Sequence, residues 1–228
     1  KYGESIDVYA VGTKLTTCAD QPALGGVYKV GNIYEKDMSN EDIIALKEQV
    51  RNGEIHPSEV RDKVRDIMKL SNDPIKMTFP GELDLIRYLE ERKDGQLYFD
   101  GGTICPEWAT DPLKFDDPED PFSGRLAQGV ISVPRDNPLL PKCFNKGTRA
   151  YRPLKRFFDR GRLVADIETV HEARERALER LAMLDSSHKQ MNDPHPHIVG
   201  VEESLVQRRD AMGRRLKATG NTVEANKI

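Results

Sequence analysis

The run "SIDVYAVGTKL" restricts the fold more than any other stretch, because Ile6, Val8 and Val11 alternate while Tyr9 and Ala10 between them are apolar too. A short β-branched run that is apolar on both sides and bounded by small residues predicts a strand buried on both faces. It ends at Gly12-Thr13. In parallel α/β sheets and barrels, ligands bind beyond the carboxyl ends of the strands. A glycine there lets backbone N–H groups come close to a phosphate, and a threonine hydroxyl adds a donor. Gly12 and Thr13 are therefore candidate phosphate contacts. A tight turn that needs small residues explains the same pair.

"GGVYKVGNIY" predicts a second strand ending near Tyr34. The period then changes. Ile43, Leu46 and Val50 fall at helical spacing, with Ser39 or Asn40 as N-cap and Gly53 just past the end. Val60, Val64 and Ile67 repeat the spacing, which predicts an αα-hairpin over residues 35–68 with a solvated, charged outer face. From Lys69 to Arg162 short strands alternate with proline-rich loops. "LDLIRYL" and "QLYFDGG" are strands around an Asp94-Gly95 turn, "EWATDPLKFDDPEDPFSG" is a surface loop, and "AQGVISVP" is a strand. "RAYRPLKRFFDRGRLVAD" makes two strands around Asp159-Arg160-Gly161. A helix over Thr169 to Leu184 carries one apolar stripe, Val170, Ala173, Ala177, Leu181 and Leu184. Thr169 and Glu172 form its capping box, and Glu172 stands four residues before Arg176 in the favourable order for an ion pair. A second helix, Glu202 to Lys217, buries Leu205, Met212 and Leu216, and the tail after Gly220 frays.

Charge excludes some functions. With 35 basic against 38 acidic residues and a net charge of −3, no basic excess favours nucleic acid. No run approaches the ~18 apolar residues of a membrane span. Cys18, Cys105 and Cys143 are sparse and without metal-ligand spacing, as for reduced thiols in the cytoplasm. The opening at Lys1, almost directly on a strand, suggests a chain that begins partway through a longer protein. His195 and His197 in "DPHPH" could clasp a metal, but no third ligand stands nearby at convincing spacing. His56, His171 and His188 read as cap or surface residues. Lys69 and Lys76 suit either an anionic ligand or the solvated face of a strand–turn–strand unit closed by Pro80-Gly81. No catalytic constellation emerges from these residues.

"IDVYAVGTKLTTCADQPALGGVYKV" resembles a segment of the nicotinate phosphoribosyltransferase family, a strand followed by "GVGT", a Pro-Ala-Leu-Gly turn and "VYKL". "MKLSNDPIKMTFPG", followed by Arg87, is similar to the family's next segment, and the stretch from Gly161 through "NDPHPHIVGVEESL" is similar to its closing helix and tail. The resemblance implies the end of a phosphoribosyltransferase-type α/β barrel with its return strand over 1–34, the inserted hairpin over 35–68, and a strand-rich C-terminal domain with closing helices over 69–228. It implies formation of nicotinate mononucleotide and pyrophosphate from nicotinate and phosphoribosyl pyrophosphate in NAD salvage. ATP hydrolysis through a phosphohistidine, Mg²⁺ on the pyrophosphate and a cytoplasmic homodimer come with it. Gly12 and Thr13 take the family's 5′-phosphate role, the phosphohistidine lies upstream of Lys1, and this segment alone is inactive. Nicotinamide as substrate is the weaker branch, because "PALGGVYK" is closer to the nicotinate enzymes. The alternative is a protein-interaction module on an inherited scaffold, with the helices as docking elements.

Overall fold

The computed structural model describes residues 10, 12–17, 19, 22–23, 28–60, 63–71, 76–106, 113–117, 119–134, 137–159 and 161–219. The expected first strand, with Ile6, Val8 and Val11, and the Gly25-Gly26 turn lie outside these residues, as does the tail after Thr219. A four-residue helix α1 spans Thr13–Thr16. Of the second expected strand, β1 covers only Asn32–Tyr34, and residues 28–31 carry no regular structure.

Helix α2, Asn40–Arg51, starts where the sequence predicts. The Ser39 side chain accepts from the Asp42 N–H, and the Asp42 carboxylate accepts from the Ser39 N–H, closing a capping box. The second helix of the expected hairpin does not form. Pro57–Val60 makes a single 3-10 turn, and Val64–Asp66 is a strand, β2, paired antiparallel with β1. The apolar residues are used as expected, since Val60 and Val64 pack with Leu46 and Val50. Their backbone is not, because β-branched Val64 suits an extended chain and β2 satisfies the main-chain groups of β1. The same strand delivers Asp66, 6% exposed, to Arg208 near the chain's end.

The centre of the molecule is an eight-stranded mixed sheet. β3 (Leu83–Glu91) and β4 (Leu97–Pro106) form its long hairpin around the expected Asp94-Gly95 turn. Pairing runs from Tyr88 opposite Gly101 to Leu89 opposite Phe99, which leaves Asp100 as the extra residue of a bulge. β5 (Leu113–Phe115) lies inside the stretch expected to be a surface loop and pairs with β6 (Gly124–Leu126), which starts at that stretch's last residue. Leu113 reaches the core, and the acids that suggested a loop make the connection instead. Asp117 and Asp120 side chains accept from the N–H groups of Glu119 and Phe122 at 2.9 Å, two residues on. The sheet is completed by β7 (Val130–Pro134), β8 (Lys142–Phe144), β9 (Arg149–Tyr151) and β12 (Val199–Glu202), in the order β5-β6-β9-β3-β4-β12-β7-β8. Only β12 against β4 is parallel. The two-residue strands β10 (Phe158–Asp159) and β11 (Arg162–Leu163) form the small expected hairpin.

One face of the sheet carries Ile86, Tyr88, Cys105, Leu113, Leu126, Val130, Phe144 and Ala150 as the main core. Burial pushes the Cys105 thiol up to about 12, so it stays protonated as a packing residue. Helix α3, Val170–Ala182, has the predicted Thr169–Glu172 capping box, yet none of its residues is buried. Val170 is 83% exposed, and the helix is held at its far end, where Met183 and Leu184 pack on Leu89, Phe99 and Tyr151. Arg176 pairs with Glu168 at 2.7 Å rather than with Glu172, whose carboxylate is engaged by the cap. Helix α4, Glu203–Thr219, buries Leu205, Met212 and Leu216 as expected. No helix among the described residues is long and apolar enough to cross a membrane.

Candidate functional site

Gly12 is the N-cap of α1, exposed and extended, with no side chain capping the helix. Its φ of −76° is open to any residue, and no described atom lies within 4 Å of where a Cβ would stand. The packing of the described residues therefore does not demand glycine here. Thr13 is exposed at the first helical position. Lys69 and Lys76 are also exposed. The Lys69 N–H donates to Thr78 Oγ1 at 2.8 Å and its carbonyl accepts from the Thr78 N–H at 3.3 Å, so the strip closes before Pro80-Gly81; the described residues of 69–80 form no strand, and the expected strand–turn–strand unit does not form there.

The histidines are arranged in a way the sequence did not reveal. His197 lies beside Arg87, 110 positions earlier, with Arg87 Nη2 3.4 Å from His197 Nε2. Three features bring them together. Arg87 pairs with Gly102 across β3 and β4, and Gly102 pairs with Val199 across β4 and β12, so one row of the sheet carries Arg87 and the residue two beyond His197. Gly101 and Gly102 admit the approaching chain, because a Cβ on Gly101 would lie 3.1 Å from the Ile198 carbonyl and the Gly102 N–H donates to that carbonyl at 3.1 Å. The central carbon of the Arg87 guanidinium lies over Phe99, 3.8 Å from the ring centre.

Around this pair sit His188, edge-on to His197 at 5.4 Å, and Lys142, whose Nζ donates to Asp100 Oδ1 at 2.6 Å and to the Asp100 carbonyl at 3.2 Å. His188 Nδ1 is 2.6 Å from the His195 carbonyl, so that nitrogen carries the proton. Burial first, then the charge of Arg87 and the neighbouring His188, hold the His197 imidazole below its ordinary pKa; Asp100 opposes them and Lys142 adds to them. His197 is thus neutral, with Nε2 as acceptor for Arg87. Among the described residues no group of three or more His, Cys, Asp or Glu side chains is placed to hold a metal ion. Local spacing could not have found this cluster. Only the glycines of "FDGG" hinted that another segment would cross there.

The loop carrying these histidines is tied down at Asp185. Its carboxylate accepts from the Ser187 N–H at 2.9 Å and from Arg92 Nη2 at 2.5 Å, which together hold its pKa well below the usual carboxylate range. A depressed carboxyl contributes stability that is present above the unfolded value of ~3.9 and lost as pH falls through the folded one. Stability measured from neutral to acid pH should therefore fall less steeply below about pH 4 in Asp185→Asn than in the parent. Parallel curves would show that the carboxylate contributes nothing there.

Known proteins share this chain's sequence. Residues 137–209, from before β8 into the first turns of α4, match the family described as nicotinate phosphoribosyltransferase C-terminal domain. Nicotinate phosphoribosyltransferase of Mus musculus is 25% identical over 93% of this chain and 31% of its own length. The Bacillus subtilis enzyme of the same name is 35% identical over 39% of this chain and 13% of its own length. The crystal structure of human nicotinic acid phosphoribosyltransferase aligns over 59% of this chain and 23% of that one, with a TM-score of 0.44 and 19% identity. The chain thus spans under a third of the length of these relatives.

Proposed function

We propose, from the premise that the chain belongs to the nicotinate phosphoribosyltransferase family and carries its C-terminal region, that it serves the synthesis of nicotinate mononucleotide and pyrophosphate from nicotinate and phosphoribosyl pyrophosphate in NAD salvage. The reaction belongs to a polypeptide of the relatives' length, cytoplasmic and homodimeric, and it is coupled to ATP hydrolysis through a phosphohistidine outside this chain. The observation that carries the reading is the family match over 137–209, in a chain whose alignment with the mouse enzyme extends over 93% of its residues.

Transfer at the anomeric carbon asks the protein to hold two anionic ends of one substrate while positive charge develops between them, so positioned donors suffice. Gly12 and Thr13 hold the 5′-phosphate in this reading. Its support is the open space beside Gly12 and a backbone conformation that does not itself call for glycine. Mg²⁺ would act on the pyrophosphate, and the described residues hold no group of three or more His, Cys, Asp or Glu side chains placed to bind it.

The test is steady-state kinetics on a polypeptide of the relatives' length carrying this sequence. Nicotinate-dependent pyrophosphate release is expected, and Gly12→Leu should raise KM for phosphoribosyl pyrophosphate while leaving KM for nicotinate in place. An unchanged KM would remove Gly12 from the phosphate site, and no release from the parent would remove the reaction. The 228-residue chain alone should turn over neither substrate.

A further inference from the structure

Arg87 has no carboxylate partner among the described residues; its guanidinium meets only the Phe99 ring and the His197 imidazole. The charged and titratable groups around it come from every element that meets there: Arg87 from β3, Asp100 from β4, Lys142 from β8, His188 from the 3-10 turn Ser186–Lys189, and His197 from the approach to β12. Asp100 compensates Lys142. Among the described residues no carboxylate compensates Arg87.

We propose that Arg87 and His197, with Lys142 and His188 beside them, form a binding site for an oxyanion of the phosphate class. Arg87 Nη2 and His197 Nε2, 3.4 Å apart, can both donate to an oxygen atom placed before them once His197 takes up a proton. With that proton, Arg87, Lys142 and His197 stand against Asp100 alone. The net excess of two positive charges matches a phosphate dianion better than a carboxylate. Contact with the Phe99 ring restrains the Arg87 side chain before binding, so less of its freedom is lost on binding. The bulge at Asp100 places that residue where Lys142 reaches both its carboxylate and its carbonyl, and both side chains keep 36% exposure, so the cluster is open to solvent. In the empty site, burial and the neighbouring positive groups keep His197 neutral. The anion reverses that balance, so binding carries a proton with it. The inference stands on this geometry and not on the reaction proposed above.

NMR of the histidine rings in the full chain tests it, with inorganic phosphate, a simple phosphomonoester, sulfate and acetate titrated separately. Phosphate or the monoester should shift His197 and His188 saturably and leave His56 and His171 in place, and whichever binds more tightly identifies a free or an esterified ligand. Acetate should bind about tenfold more weakly, having one charge for the site to meet. Sulfate does not titrate in this range, so its affinity should rise as pH falls through the histidine range, and His197→Gln should remove that dependence. Arg87→Lys keeps the charge but loses the fork, and should weaken phosphate about ten- to a hundredfold while the unchanged His56 and His171 signals report an intact fold. The proposal is overturned if all histidines shift alike, if no shift saturates, if acetate matches phosphate, or if Arg87→Lys binds as the parent does.

Discussion

Urea denaturation of Tyr88→Ala is expected to show a loss of about 3–5 kcal/mol with an unchanged m value, the largest effect of any single replacement argued here. Tyr88 is fully buried at the centre of the sheet, and its ring stacks on Phe144 with centroids 3.5 Å apart and planes 11° from parallel. Truncation removes that stacked surface and leaves a cavity walled by strands that cannot close over it. Against a total stability of about 5–15 kcal/mol, such a loss is a large fraction of what holds the fold. Tyr88→Phe separates the ring from the hydroxyl. The hydroxyl is buried without a hydrogen bond, and the hydroxyl of nearby Thr103 is committed to Ser132 Oγ at 2.7 Å. Removing it should be neutral or slightly stabilising, because no partner is orphaned. A Tyr88→Ala cost of no more than ~0.5 kcal/mol, the size of a surface change, would show that the sheet's centre is not packed as described.

Gly200→Ala should cost about 1–3 kcal/mol, through overlap rather than a cavity. Gly200 is in β12 opposite Thr103 of β4 and Pro134 of β7, and a Cβ there would collide with Ser132 Oγ and come within 3.0 Å of the Val133 carbonyl. Ser132→Ala takes away the first of these obstacles. A double-mutant cycle should therefore give a coupling of at least ~0.5 kcal/mol, with Gly200→Ala milder in the Ser132→Ala background. Strict additivity would show that the main-chain contact, or something else, decides the position.

What the sequence revealed was local. Thr169 with Glu172 and the Asp94-Gly95 turn each depend on residues within a few positions, and both occur as read. The burial of Leu205, Met212 and Leu216 followed from one helix's periodicity. The misreadings share a cause. Val60, Val64 and Ile67 carry helical spacing, but Val64 answers to β1, a partner thirty positions away that periodicity does not see. The α3 stripe is real as a pattern, yet Val170 has no described neighbour to bury it. Gly12 and Thr13 stood out by their place after an expected strand that lies outside the described residues, whereas the Arg87–His197 contact depends on the register of three strands and on two glycines. Residue types announce what a side chain can do; only the long-range pairing decides what it meets.

β12 is the sole strand bridging β4 and β7, and it is also the last strand of the sheet to be made. On the ribosome, the β3–β4 and β7–β8 ribbons therefore emerge as two pieces with raw borders long before their clasp is translated. Until Val199–Glu202 leaves the exit tunnel, each border offers unpaired amides and carbonyls to any neighbouring nascent chain.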